Sequence, residues 1–354
     1  MNTVTLDVNH PLWSATLEQL NHDVYHLPDY VALDANRTET IPEAFLLQDD
    51  DKIFFAPYLL RSCKDILGST ETELYDVISP YGYPGILMSK AALDHAEFPD
   101  FALQKFFNTL QTRKVCSAFL RQHPILSEGF AKVLQSDPLQ ENGKTVSIDL
   151  TLDEGQIWAK TRRGHQSTIN KCKRLGLVAR TVSYAEYIDE FIDIYEETMD
   201  RVKAKDNYYF SREYFEGLLK LGDKVHLGIV ELEGEIGSAC LFFESCGIVQ
   251  AHLGGTRSAF LKQSPFNLLL HHMRLWAKER GNQYLHIGGG VGGQKDNLYT
   301  FKSGFSKQRH EFFTLRSIVD TEKYNDLLHF RAKAIDKSVE DLQESNFFPA
   351  YRAS

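Results

Sequence analysis

A mixed α/β fold in two related domains is the class this sequence predicts. The chain is 354 residues long, beyond the ~250–300 at which a single hydrophobic core stops growing. Each half runs through the same succession of apolar hairpin, strand, helix-length segment and strand. Two segments also carry a clean helical stripe. With 43% hydrophobic and 25% charged residues, the chain has a globular composition, which excludes a disordered tail, a collagen-like fibre and a disulfide miniprotein.

In the first half, AFLL (44–47) and IFFAPYLL (53–60) flank Asp49, Asp50 and Asp51. Two β-rich runs around a short polar turn predict a hairpin. YDVI (75–78) reads as a strand, and FALQKFFNTLQTRK (101–114) as a helix leading into the strand VCSAFLRQHP (115–124). The second half repeats this with VHLGIVEL (225–232), an EGE turn and IGSACLFFES (236–245). There the helix FNLLLHHMRLWAKERG (266–281) leads into NQYLHIGGG (282–290). In 185–202, Ile188, Phe191, Ile192, Tyr195 and Met199 make one apolar stripe, the signature of an amphipathic helix. Phe266, Leu269, Leu270, Met273 and Ala277 do the same in 266–280, with Ser264 as expected N-cap, Pro265 at the first position and Gly281 as the stop. The polar turns of ENGKTVSIDLTLDEG place a boundary near 150. The expected division is an N-terminal domain 1–150, a C-terminal domain 151–320 carrying the active site, and a helical extension 321–354 that ends at Pro349.

Lys and Arg number 39 against 48 Asp and Glu, a net charge of −9, so the chain is not a general coat for nucleic acid. The five cysteines (Cys63, Cys116, Cys172, Cys240, Cys246) form no C-x-x-C pair, and reduced, mostly buried thiols are expected, with no metal site. The opening MNTVTLDVNHPLWSATLEQL lacks a basic stretch followed by an apolar one, and no apolar run reaches the ~18–20 residues that cross a bilayer. A cytoplasmic protein without a transmembrane segment is expected.

Four clusters carry candidate chemistry. KTRRGHQSTINKCKR (160–174) holds Lys160, Arg162, Arg163, Lys171, Lys173 and Arg174 with no acid, a reversal of the chain's charge that suits phosphate groups or a solvated helix face. HIGGGVGGQKD (286–296) fits G-x-G-x-x-G at Gly288, Gly290 and Gly293. It lacks a clear helix directly after it and has Gln294 where a Walker loop needs Lys, so its glycines are expected to let the backbone pass close to a ligand or another strand. LYTFKSGFS (298–306) sets Lys302 among aromatics, placed to hold an anion or a carbonyl oxygen, or to lie over a partly buried face. SPYGYPG (79–85) offers Tyr81 and Tyr83 either as a rigid cleft wall or as residues of a tight packed loop.

Together, RRGHQSTINKCKRLGL (162–177), IYEETMDRVKA (194–204), YFSREYFEGL (209–218), AHLGGT (251–256), YLHIGGG (284–290) and DNLYTFKSGFS (296–306) resemble the FemABX-like, peptidoglycan-bridge type of acyltransferase within the GNAT superfamily. The likeness extends more weakly to DVYHLPDY (23–30). It implies two tandem GNAT-like domains, each a mixed sheet flanked by helices, and transfer of an acyl group to an amine. The donor it implies is a co-substrate rather than a bound cofactor, either aminoacyl-tRNA or acyl-CoA, and the acceptor is a cell-envelope precursor or a small metabolite. By motif, Phe301 and Lys302 match the aromatic-Lys pair near the donor carbonyl, while Arg162, Arg163, Lys171 and Lys173 border the phosphate-bearing substrate. Tyr209 and Tyr299, inside matched motifs, join the substrate-binding set.

Two departures bear on the donor. RSAFLKQSPFN (257–267), where acetyl-CoA enzymes carry a glycine-bearing loop, has no glycine, so fewer backbone N–H groups converge on a pyrophosphate. No sustained heptad run forms a coiled-coil arm. Aminoacyl-tRNA is the favoured donor; an acetyl-CoA-dependent N-acetyltransferase acting on a sugar or amino sugar, and a non-catalytic GNAT-like binding module, are the alternatives. In the expected mechanism Lys302 serves the oxyanion or the phosphate end of the donor, and His252, His286 and Asp296 are candidates to relay the amine proton.

Overall fold

A computed structural model of the chain describes residues 1–67, 73–134 and 138–353. The chain begins with β1 (Asn2–Asp7), α1 (Pro11–Leu17), α2 (Pro28–Thr38), β2 (Ile41–Asp49), β3 (Lys52–Ser62) and α3 (Lys64–Leu67). There follow β4 (Tyr75–Ile78), β5 (Leu87–Met88), α4 (Lys90–Leu93), α5 (Phe98–Thr112), β6 (Val115–Arg121) and α6 (Phe130–Val133). β7 (Leu139–Asp149), α7 (Glu154–Lys160), α8 (Arg163–Arg174), β8 (Val178–Val182), α9 (Ile188–Val202) and α10 (Arg212–Gly217) lead into the second half. Its sheet and site come from β9 (Val225–Leu232), β10 (Glu235–Ser245), β11 (Ile248–Thr256), α11 (Phe266–Glu279), β12 (Tyr284–Gly288) and α12 (Asn297–Lys302). β13 (Arg309–Ile318), α13 (Thr321–Ala334) and α14 (Val339–Glu344) complete the chain.

Both expected hairpins form. β2 and β3 close at Asp49↔Lys52, and β9 and β10 at Leu232↔Glu235. The second turn is Glu233-Gly234 with φ of 52° and 87°, the positive pair that matches the twist of a tight hairpin. Successive residues of β2 and β3 feed opposite cores, as a period of two requires. Phe45 and Phe54 pack with Phe106 of α5, while Leu46 and Phe55 pack with Trp13 of α1.

The chain divides into two units, Met1–Asn142 with Phe312–Ser354, and Gly143–Glu311. Strand order in the first is β1-β2-β3-β4-β6-β13, with β5 beside β3; in the second it is β8-β9-β10-β11-β12-β7. In each, an antiparallel meander is followed by a helix (α5 or α11) and one parallel strand, β6 on β4 or β12 on β11. The sixth strand is exchanged. β7 follows β6 in the chain but pairs with β12, and β13 follows β12 but pairs with β6. This is a tandem GNAT-like arrangement, each unit a mixed sheet with flanking helices.

The exchange puts the crossings at 142 and 311, where the sequence placed boundaries near 150 and 320. The segment 321–354 does not stand apart as an extension. Tyr324, Leu327, Leu328 and Tyr351 share a core with Cys63 and Cys116 of the first unit, and Arg352 donates to buried Asp76 at 2.6 Å. α9 and α11 carry the expected stripes. Ser264 is not the N-cap of α11: its φ of 55° is left-handed and the cap position is Pro265. Gly281, with φ of 80°, ends the helix as expected. Among the described residues no helix is long and apolar enough to cross a membrane.

Candidate functional site

β11 and β12 run parallel for only three registered pairs, ending at Gln250↔His286, although β11 continues to Thr256. β11 also bulges there against β10: Cys240 faces Gly254 and Phe242 faces Ala251, so His252 and Leu253 stand opposite Leu241 alone. Gln250 occupies the point of separation. Its Oε1 accepts from His286 Nδ1 and its Nε2 donates to Ala251 O at 2.8 Å. That fixes the Nδ1–H tautomer of the fully buried His286. The carboxyl ends of diverging parallel strands are where open α/β sheets hold ligands.

The corresponding fork of the first unit is filled by its own loop. Ser79 Oγ accepts from Arg121 N at 2.7 Å, Gln122 Oε1 from Ile86 N at 3.1 Å, and Asp34 Oδ2 from Tyr81 N at 2.8 Å. Tyr30 Oη donates to Tyr81 O at 3.0 Å, and Tyr83 lies against His123 and Phe312. Gly82 is required: φ is 97°, and a Cβ would sit 2.2 Å from the Tyr25 ring. Tyr81 and Tyr83 therefore form a rigid, packed loop of the first unit.

From β12 the chain passes through the glycine run into α12. Asp296 caps that helix: Oδ1 accepts from Tyr299 N at 2.8 Å and Oδ2 from Val291 N at 2.9 Å. Burial pushes its carboxyl up, but these backbone N–H bonds outweigh it and hold the pKa below the usual carboxylate value. Close backbone approach accounts for the glycines. A Cβ on Gly290 would meet Gln294 O at 2.1 Å, and one on Gly143 of β7 would meet Gly293 O at 2.0 Å.

Lys302 ends α12 and points back to the strand end, where Nζ donates to Gly289 O at 2.7 Å. Burial pulls its pKa down to about 8, opposed by the Cys240 thiol and Asp296. Cys240 in turn accepts from the His252 backbone, and burial raises its thiol pKa. The His252 ring stacks on Phe243 with centroids 4.1 Å apart, and Tyr214 Oη lies 3.2 Å from Nε2. Burial drops the His252 pKa to about 3. Near neutral pH the site therefore holds one ammonium and neutral imidazole.

Phe301 packs among His165, Phe266 and Phe305. His165 Nε2 donates to Phe301 O at 2.8 Å, and the Arg162 backbone N–H donates to Gly304 O at 2.7 Å. The first turn of α8 is thus tied to the end of α12. Arg162 and Arg163 are exposed there. Lys171 and Lys173 lie roughly 15 Å further along the helix, at 1.5 Å per residue. Lys171 Nζ donates to Lys262 O at 3.2 Å, and Lys173 Nζ lies 3.2 Å from His271 Nε2. Tyr299 has Arg309 over its ring and accepts from Arg309 Nε at 3.1 Å. Tyr209 is exposed and donates to Asp200 at 3.0 Å; the tyrosine of YFSREYF that reaches His252 is Tyr214. Sequence reasoning missed Gln250, Cys240, Tyr214 and His165, whose parts depend on contacts distant in the chain. Among the described residues no group of three or more His, Cys, Asp or Glu is arranged for a metal ion.

An acetyltransferase (GNAT) domain model matches residues 159–302, which span α8 through Lys302. No protein of curated function matches the chain significantly by sequence. Among solved structures, FemX is similar over 92% of this chain and 99% of its own, with a TM-score of 0.68 at 13% identity. The C-terminal domain of a putative lysylphosphatidylglycerol synthetase from Agrobacterium fabrum has a TM-score of 0.55 at 13% identity, covering 87% of this chain and 90% of its own. L-PGS from Bacillus licheniformis has a TM-score of 0.53 at 14% identity, covering 86% and 91%.

Proposed function

We propose that the second unit is an N-acyltransferase that moves an aminoacyl or other acyl group from an activated ester or thioester to an amine. The GNAT domain match and the FemX-like fold support the reaction class. The observation that carries the reading is the partly buried Lys302 ammonium, bonded to Gly289 O beside the fork of β11 and β12. When an amine attacks the donor carbonyl, a C–N bond forms and negative charge collects on the carbonyl oxygen. The C–O or C–S bond then breaks, and the amine proton is passed to the leaving group. Lys302 is the donor to that oxyanion, an interaction that typically contributes ~2.7–4 kcal/mol.

The remaining candidates take different parts. Asp296, with both carboxylate oxygens on backbone N–H groups, is a positioning residue that sets the glycine run and α12. His252, with a pKa of about 3, is too weak a base to store a proton near neutrality and serves with Tyr214 as a hydrogen-bonding wall. His286, held as the Nδ1–H tautomer by Gln250, is the proposed proton relay. Arg162 and Arg163 border the phosphate-bearing substrate.

Aminoacyl-tRNA is the favoured donor and a cell-envelope precursor or metabolite amine the acceptor. The glycine-free segment 257–267 and a fold shared with proteins named for lysylphosphatidylglycerol synthesis support an aminoacyl donor. The description of the matched domain as an acetyltransferase supports acetyl-CoA instead. Charged tRNA and acyl-CoA offered in parallel to a panel of amines, with product masses read by mass spectrometry, decide between them. Saturable thermal stabilisation by micromolar CoA would favour the second donor. Absence of any acyl product with either donor would overturn the proposal.

A further inference from the structure

α8 and α11 enclose a cationic cluster that the Lys302 site does not use. Arg274, in the middle of α11, is 1% exposed. Its guanidinium donates to Thr161 Oγ1 at 2.7 Å and to His271 Nδ1 from Nη2 at 2.9 Å and Nε at 3.2 Å, and it lies 5.7 Å from the Trp158 ring centroid. These partners are a hydroxyl, an imidazole and an aromatic face. Glu154 is the acid that acts on it, and only from a distance, so burial still lowers its pKa to about 10. A buried cation without a paired anion is costly, and an anion from outside would relieve that cost.

His271 meets Arg274 on one side of its ring and Lys173 on the other. Arginine can only donate, so Nδ1 of His271 is the acceptor and the proton of the neutral ring is on Nε2. Burial, then Arg274, Lys173 and His272, hold its pKa near 3, so the ring stays neutral. The Lys173 ammonium lies 3.2 Å from that Nε2–H. Two donors thus face each other, an arrangement that an anionic oxygen in reach of both would satisfy. Lys173 is exposed and His271 lies at the edge of the core, so the cluster opens to solvent. Lys171 ties the same end of α8 to the segment leading into α11. That segment lacks the glycines with which backbone N–H groups would grip a phosphate.

We infer that Lys173 and His271, backed by Arg274, form a phosphate-binding subsite for the acyl donor. This deepens and rests on the transferase reading. The ligand chemistry is a phosphate ester, whether of CoA or of an RNA backbone, held by side chains.

The test measures binding of inorganic pyrophosphate, CoA and uncharged tRNA to the full chain at several salt concentrations. Lys173→Gln, His271→Gln and Lys302→Met are compared with the wild type, and circular dichroism checks each fold. Lys173→Gln should weaken phosphate binding on the order of 10-fold, as loss of a charge-assisted hydrogen bond does. If tRNA is the ligand, the slope of log affinity against log salt should also fall by about 1. His271→Gln should weaken binding in the same direction, and Lys302→Met should bind phosphate as the wild type does. A loss confined to CoA or to tRNA supports the subsite and names the source. Equal binding of all probes to wild type and Lys173→Gln, or no binding to the wild type, overturns it. Because binding is scored without turnover, Lys173-dependent binding in a protein that transfers no acyl group would sink the transferase reading alone.

Discussion

In the proposed mechanism Lys302 joins two demands that oppose each other. Its ammonium must be buried to act strongly on a carbonyl, and burial is what disfavours the charge. Lys302→Met should lower turnover by about 10²–10³-fold, the cost of removing one oxyanion donor, while the melting temperature rises because a partly buried charge is replaced by an apolar chain; unchanged turnover would remove Lys302 from the mechanism. The rate should also fall on the alkaline side with a pKa of about 8, measured as kcat against pH and missing in the variant. Stability runs the other way. The amine titrates near 10.5 when unfolded and near 8 when folded, so the unfolded chain binds more protons between these values. Stability therefore rises with pH through that window, and the cost is fully present below pH 8. Gly304, two residues on, packs closely on His165: a Cβ there would sit 2.4 Å from the His165 ring. Gly304→Ala should displace the ring from Phe301 O, cost about 1–3 kcal/mol of stability and lower kcat, as denaturation and kinetics would record. Lys302 was singled out by motif resemblance, its place among aromatics leaving an anion-holding and a surface-lying reading open. Gly304 and His165 were not, because they meet across 139 residues of chain.

At the scale of elements, the site depends on a short helix and a broken ladder. α12 has six residues, too few to be stable alone, and is held by its Asp296 cap, by Phe301 packed against the core and by the Lys302 bond to Gly289. Asp296→Ala should cost about 1–2 kcal/mol and loosen both the glycine run and α12. Turnover should fall more than substrate binding does, a split visible in kcat against KM; full activity would leave the cap without a part in positioning. The hairpins and the stripes of α9 and α11 could be read from periodicity because each is decided by residues close in the chain. The fork between β11 and β12 could not, since a polar Gln250 in an apolar strand is informative only beside His286. The basic run of α8 was visible as composition, but its division into an Arg162 end near α12 and a Lys173 end near α11 follows from helix length and packing.

At the scale of the whole molecule, the repeat read from the sequence is a repeat of strand order, β1-β2-β3-β4-β6-β13 matched by β8-β9-β10-β11-β12-β7. A fragment cut at 151–320 lacks the β7 residues that pair with β12, from Val146 to Asp149. It should give no cooperative urea transition, whereas 143–311 should unfold with a measurable midpoint; equal behaviour of the two would argue against the exchanged strand as a structural necessity. By itself the sequence determined the fold class, the hairpins and the long helices. These rest on local periodicity, turn chemistry and motif order, which are written in neighbouring residues. Tertiary structure alone decided which unit receives each sixth strand, and that a tyrosine loop lies at one fork while Lys302, bonded to Gly289 O, lies beside the other. Those outcomes arise from pairings between segments far apart in the chain, whose free energies appear only when the partners meet.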